Sequence, residues 1–349
     1  MSFEKIALLH AEKYPLMQAQ DFVKLAYQSA FGCGHMVSGF ENALLRVQAE
    51  RKNGGQNVCA EAIGNGYVRL HLSSGEYPLS SETVSRMFLL SAQAVSENRD
   101  LFFSFSKTLK ALSREGRIAP SESEIIKALC AFESGDFSPV SHTETYRAAY
   151  QPAYRVVREE YASLLPLISA LDTLKHRKDG AVVCIDGMCA SGKTTLAKRL
   201  GDVLNAPVYH MDDFFLPPVK RTEKRLLEAG GNVDYERFRT DVLDPLLLKK
   251  PFSFRPFDCS RMDYAASVMC APSALSIVEG SYACHPALAD GYDLKIFLSV
   301  GSDTQIERIR KRNGEKMLER FIREWIPMEN RYFEAFAIQE KADYVFHTK

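Results

Sequence analysis

No charge of one sign dominates this sequence. Its 349 residues carry 44 Lys+Arg and 44 Asp+Glu, a formal net charge of zero. The balance holds in each half: residues 1–180 carry 20 of each sign and residues 181–349 carry 24 of each. A protein that tracks phosphates along a nucleic acid usually presents a basic face, so nucleic acid is disfavoured as a partner. No apolar run approaches the roughly 18–20 residues that cross a bilayer, so no membrane role is expected. The first residues, with Glu4, Lys5, Glu12 and Lys13, lack the apolar core of an export signal. None of the eight cysteines forms a CxxC pair, and none recurs at zinc-ligand spacing. Reduced thiols in a cytoplasmic protein are the expectation. There is no internal repeat and no low-complexity tract. What remains, 46% hydrophobic and 25% charged, is a globular composition. At about 100–200 residues per domain, the length suits two domains.

The sequence changes character near residue 179. Before it, residues 3–12, 18–31 and 38–51 carry apolar positions three and four apart, the period of an amphipathic helix. Ser80-Ser81-Glu82 and Ser121-Glu122-Ser123-Glu124 read as helix starts. GYVRLHL (66–72) reads as a short strand, and 143–175 as two or three helices broken at Pro152 and Pro166. The polar run Lys175–Gly180 reads as a linker. After it, AVVCID (181–186), APVYHMDDF (206–214), SALSIVEGSY (273–282), YDLKIFLSV (292–300) and YVFHT (344–348) read as strands. TTLAKRLGDVLN (194–205) reads as a helix. Alternating strands and helices predict an α/β domain over 179–349, with a five-stranded parallel sheet flanked by helices. A mostly α-helical domain, 1–178, precedes it.

Residues 187–194 read Gly187-Met188-Cys189-Ala190-Ser191-Gly192-Lys193-Thr194, the phosphate-binding pattern G-x-x-x-x-G-K-[ST]. Glycines let the backbone wrap closely around phosphate oxygens. The loop amides, Cys189 through Thr195, then face the anion at the positive end of the following helix. Lys193 supplies a point charge for the phosphates and the Thr194 hydroxyl a ligand for Mg²⁺. ATP and Mg²⁺ are therefore the expected cofactors. In an open parallel sheet, ligands bind beyond the carboxyl ends of the strands. Those ends present Asp212-Asp213 on the second strand and Glu279 on the third, suited to hold Mg²⁺ or to take the proton of an attacking hydroxyl.

With GMCASGKTT (187–195), MDDFFLP (211–217), GGNVDYERF (230–238), VEGSY (278–282) and RIRKRNG (308–314) in this order, the segment 181–349 resembles the uridine kinase and phosphoribulokinase group of P-loop small-molecule kinases. The MDDFF piece is also similar to nicotinamide riboside kinases. The resemblance covers half the chain. It implies that Asp212 is the general base or organises the metal, and that Glu279 lies near Mg²⁺ and the acceptor. It further implies that Asp234 holds sugar hydroxyls and that Arg308 and Arg312 close over the phosphates as part of a lid. Asp213 joins Asp234 and Glu279 as a candidate for the acceptor. The sequence departs from the family where Phe214-Phe215 is followed by Leu216-Pro217-Pro218, and in its long N-terminal half, which puts uridine itself in doubt. PFSFRPFDCSRMDY (251–264) reads either as a strand pair that brings Arg255 and Asp258 to substrate or as a hairpin with its phenylalanines packed inward.

The N-terminal half carries no recognised catalytic motif. His35 sits among glycines as a turn histidine or a ligand contact. Arg69 and His71 share one face of the 66–72 segment, read as an exposed strand face. Tyr146, Tyr150 and Tyr154 are four apart and read as a stripe on one helix, packed in the core or offered to a nucleotide base, a nucleic acid or the other domain. The leading expectation is an ATP-dependent kinase acting on a hydroxyl of a small nucleoside-like or sugar-like acceptor. The alternatives are an ATP-dependent switch whose helical domain binds a protein partner, and a polynucleotide kinase.

Overall fold

A computed structural model describes residues 1–33, 39–51, 55–93 and 98–348; His35 lies outside them. The chain divides into two compact units, Met1–Thr173 and Leu174–Lys349, and the division falls within the helix Leu165–Arg177.

The N-terminal unit is mainly helical around one antiparallel sheet. The helices Phe3–Lys13, Ala19–Phe31 and Phe40–Glu50 follow the apolar spacing. Ser121 and Glu124 form a reciprocal capping box that starts Glu122–Ser134. The sheet has the order β3-β1-β2-β4, built from β1 (Asn57–Gly64), β2 (Tyr67–His71), β3 (Tyr77–Pro78) and β4 (Tyr154–Arg158). β4 corrects the tyrosine stripe. The helix Glu144–Tyr150 ends at Gln151, which is left-handed (φ 43°), and Pro152 follows. Tyr154 therefore stands on a strand, where Val157 pairs with Val68. Tyr146 is buried on the helix, stacked on His142 at 4.0 Å. The exposed strand face is also corrected: Arg69 is fully buried.

In the C-terminal unit, β5 (Ala181–Gly187) and β6 (Val208–His210) begin a five-stranded parallel sheet. Four short strands follow, β7 (Phe252–Phe254), β8 (Phe257–Asp258), β9 (Asp263–Tyr264) and β10 (Val268–Cys270). They pair β7 with β10 and β8 with β9, both antiparallel. Phe254 and Phe257 are buried there, while Arg255 donates to the carbonyls of Tyr264 and Ala265, both at 2.8 Å. Asp258 is occupied by Ser260. Within 251–264 the hairpin is β8 and β9, with Phe254 and Phe257 packed inward and Phe252 half-buried, while β7 pairs with β10 beyond the segment. The sheet is completed by β11 (Leu275–Glu279), β12 (Leu294–Val300) and β13 (Tyr344–Thr348) in the order β13-β12-β5-β11-β6. β5 and β11 are buried along their whole length, as strands covered on both faces must be. All five strands read from the sequence are present, with one correction. The second runs only over Val208–His210, and Met211–Phe214 forms a 3₁₀ turn beyond it. Among the described residues, no helix is long and apolar enough to cross a membrane.

Candidate active site

Parallel register brings the site together. Glu279 at the end of β11 pairs with Ile185 of β5 on one side and His210 of β6 on the other. The loop 187–192 leaves β5 at the same edge and feeds the helix Lys193–Leu204. Its glycines are required for two different reasons. A Cβ on Gly187, at φ 138°, would meet the Leu298 carbonyl oxygen at 2.1 Å, so this glycine lets the loop pass β12. Gly192, at φ 97°, would place a Cβ in open space, so its requirement is conformational.

Lys193 is buried and curls back along the loop. Its Nζ donates to the carbonyls of Gly187 (2.7 Å) and Met188 (3.0 Å) and to Ser281 Oγ (3.3 Å). Thr194 Oγ1 lies 3.2 Å and 3.3 Å from the two carboxylate oxygens of Glu279. Glu279 is buried and also meets His210 Nδ1 at 2.5 Å. That hydrogen bond raises the His210 pKa above its ordinary value. Asp212 and Asp213 follow on the 3₁₀ turn. The Asp212 side chain is exposed to solvent, while Asp213 is half-buried. Removal of bulk water raises the Asp212 pKa, and the nearby Glu279 charge adds to the shift. Desolvation raises Asp213 as well, opposed by His210 and by Arg237.

Other predicted residues are placed differently. Arg308 reaches the loop, donating to the Ala190 carbonyl at 3.0 Å. Arg312 is exposed and turns to Asn313 (2.7 Å) and the Phe321 ring. Asp234 is fully buried. It caps the short helix Tyr235–Phe238, accepting from the Arg237 amide at 3.3 Å, and it pairs with Lys220 at 2.8 Å. The amide of Asp234 donates to the Phe214 carbonyl at 2.7 Å, tying the GGNVDYERF segment to the Asp212 turn. Thr195 is exposed on the first helical turn.

Four neighbours of this cluster carry no mark in the sequence reading. His210 adjoins the Asp212-Asp213 pair, and its place at the strand end was a usable signal. Ser281, two residues past Glu279, bridges Lys193 to Glu329 (2.5 Å to the carboxylate). Glu329, on the helix Ile326–Phe336, accepts from the Cys189 amide at 2.8 Å. No local pattern marks it, because only the fold brings residue 329 to residue 189. Asp186 is fully buried and accepts from the amides of Gly187 (2.6 Å) and Cys284 (2.8 Å) and from the Tyr332 hydroxyl (2.8 Å). Burial pushes its pKa up to about 6.

The loop suits a polyphosphate on observations of its own atoms. Ser191 Oγ is buried with no partner, and the space over Gly192 is clear. The helix behind has an end whose amides lack helical acceptors. Thr194 Oγ1 and the Glu279 carboxylate are hard oxygen donors of the kind Mg²⁺ takes.

Fold and loop together define a P-loop α/β unit. The chain is similar in structure to a possible uridine kinase from Bacillus stearothermophilus, at 21% identity and a TM-score of 0.40, covering 52% of this chain and 99% of that one. It is also similar to a candidate fructose transport system kinase from Silicibacter sp. TM1040, at 23% identity and a TM-score of 0.41, covering 48% and 90%. A third is shikimate kinase from Acinetobacter baumannii in complex with shikimate, at 17% identity and a TM-score of 0.31, covering 52% and 88%. No family model and no curated protein matches the chain.

Proposed function

We propose that the protein is a Mg²⁺- and ATP-dependent phosphotransferase acting on a hydroxyl of a small nucleoside-like or sugar-like metabolite. The observation that carries this reading is the meeting of Lys193, Thr194, Glu279 and His210 at the carboxyl ends of β5, β11 and β6, with Asp212 on the turn that follows β6. Phosphoryl transfer needs positioning and charge neutralisation more than covalent help. Lys193 and the loop amides would hold the phosphates, except that the Cys189 and Ser191 amides are already taken by Glu329 and by the Met188 carbonyl. Thr194 and Glu279 would hold Mg²⁺, which supplies charge neutralisation at the phosphates when bound.

Two carboxylates were open as the base, and the side-chain contacts favour Asp212. Glu279 is occupied by Thr194 and His210, whereas Asp212 reaches solvent. Its raised pKa moves it toward the hydroxyl proton it would accept. Asp213 and Arg237 sit beside it as acceptor contacts. Asp234 would act on the acceptor only by releasing Lys220, so its first role is to hold the Asp212 turn. Arg308 would stiffen the loop, and Arg312 would reach the phosphates only after leaving Asn313. Free cysteines suit a cytoplasmic setting.

The test is ADP release from Mg-ATP across a panel of nucleosides, sugars and sugar alcohols. At least one acceptor should raise the rate well above the acceptor-free rate. If none does, and nucleotide binding instead controls capture of a protein, the switch reading replaces this one.

A further inference from the structure

The N-terminal unit contains a cavity of about 270 Å³. Its charge is one-sided although the half-chain is neutral. Lys24, Arg46, Arg147 and Arg155 line it, with Glu50 as the lining carboxylate. Arg155 and Glu50 satisfy each other through two contacts, 2.6 Å and 3.0 Å. Arg46 and Arg147 are exposed and have no hydrogen bond or ion pair from their side chains among the described residues. The Lys24 ammonium is held by the Val140 carbonyl. Burial, reinforced by the Arg69 charge, lowers Lys24 to about 8, against the pull of Asp21.

The proton directions of the floor follow from Asp21, whose carboxylate only accepts. Buried Arg69 donates to Gln28 Oε1 at 3.0 Å and 2.9 Å. The Gln28 amide donates to the Tyr154 hydroxyl at 3.2 Å, and Tyr154 donates to His142 Nε2 at 2.7 Å. His142 Nδ1–H then donates to Asp21 at 2.8 Å, and Thr143 Oγ1 also donates to Asp21. Asp21 also accepts from the amides of Thr143 and Gln18, so its carboxylate is fully occupied. His142 is neutral, held near 4 by burial. Arg69 Nη1 has no hydrogen-bond partner and lies 4.0 Å from Glu61. The Arg69 charge is thus balanced within the floor by Asp21 and Glu61, and the cations that face the cavity are its lining residues.

We propose that this cavity is a binding site for a small organic phosphate, with Lys24, Arg46 and Arg147 taking the phosphate and the Phe88–Val156 side taking the carbon skeleton. Three cations beyond the paired Arg155 and Glu50 match a dianion better than a monocarboxylate, and guanidinium forks suit phosphate oxygens. The volume lies just below that of ordinary ligand pockets, which restricts the ligand to a few carbons and excludes a stacked nucleic-acid strand. The site lies wholly within the N-terminal unit and does not depend on the proposed transfer reaction.

The test uses the full chain and titration calorimetry with glycerol 3-phosphate, inorganic phosphate and glycerate. It compares wild type, Lys193→Ala (to weaken anion binding at the loop) and Arg46→Gln/Arg147→Gln. Glycerol 3-phosphate should bind wild type and Lys193→Ala alike and weaken roughly tenfold or more in the double variant. The melting temperature should hold, since both arginines are exposed. Glycerol 3-phosphate should bind more tightly than inorganic phosphate, and equal affinity of the two overturns recognition of the carbon skeleton. The proposal is overturned by loss of binding in Lys193→Ala, by unchanged affinity in the double variant, by glycerate binding equally well, or by no binding below about 10 mM.

Discussion

The two units use ionisable groups in opposite ways. In the C-terminal unit, Lys193, Glu279, His210 and Asp212 gather at the end of a sheet, where strands stop and a cleft opens. In the N-terminal unit, Asp21, Gln28, Arg69 and His142 are buried and joined through Tyr154 into one hydrogen-bonded chain beneath a charged cavity. Groups at a strand end can exchange protein partners for a ligand at little structural cost. Groups in a core cannot, because each unmet partner costs its full desolvation. Substitutions in the first set should therefore cost activity, and substitutions in the second should cost stability.

The largest effect that would break this contrast is at Lys193. Lys193→Ala should lower turnover at least about a hundredfold with little change in melting temperature; kinetics and calorimetry on the same sample check both halves. Next is Arg69→Met, which strands Gln28 and leaves Glu61 short of a cation. It should destabilise the N-terminal unit by about 3 kcal/mol. The sole tryptophan, Trp325, lies in the C-terminal unit, so its fluorescence transition should move less than the circular dichroism transition.

Acidification sharpens the comparison. Burial lowers His10 and His142 to about 4, so each binds its proton more weakly folded than unfolded. Their stabilisation is full above about 6.5 and drains as pH falls toward 4, by up to about 3 kcal/mol each. Asp186 has the opposite sign. Burial raises it to about 6, so its contribution is full below about 3.8 and is lost as pH rises through 6. His285, held near 4, partly offsets Asp186 in the same unit. Hydrogen exchange between pH 6.5 and 4.5, corrected for intrinsic rates, should report greater loss of protection in Met1–Thr173. The smallest effect is Glu329→Gln, which removes the charge facing the Cys189 amide and Ser281. It should change the KM for ATP about threefold with kcat nearly constant.

The C-terminal unit was the more legible because its information is local. A strand, a glycine loop and a helix follow one another between 181 and 204, and the Asp212 and Glu279 pieces lie at strand ends that an apolar run announces. Asp186, buried in the same run, was legible as strand but not as a hub, since Cys284 and Tyr332 reach it from distant parts of the chain. In the N-terminal unit the helices were legible from their period, but β4 was not. Its tyrosine continues the four-residue spacing of the preceding helix, and only Gln151 and Pro152 mark the break. Arg69 looked like a surface residue because an arginine on a strand is normally one. Its burial depends on Gln28 and Tyr154, separated from it by 41 and 85 positions.

The central claim is that the strand-end cluster transfers phosphate and that Asp212 takes the acceptor's proton. The direct measurement follows γ-labelled ATP with Mg²⁺ and the best acceptor, for wild type and Asp212→Asn, with nucleotide affinity measured in parallel. Wild type should give a labelled phosphomonoester, and Asp212→Asn should give it at a rate at least about a hundredfold lower at unchanged ATP affinity. A labelled product formed equally fast by Asp212→Asn, or label released only as inorganic phosphate, would contradict the claim.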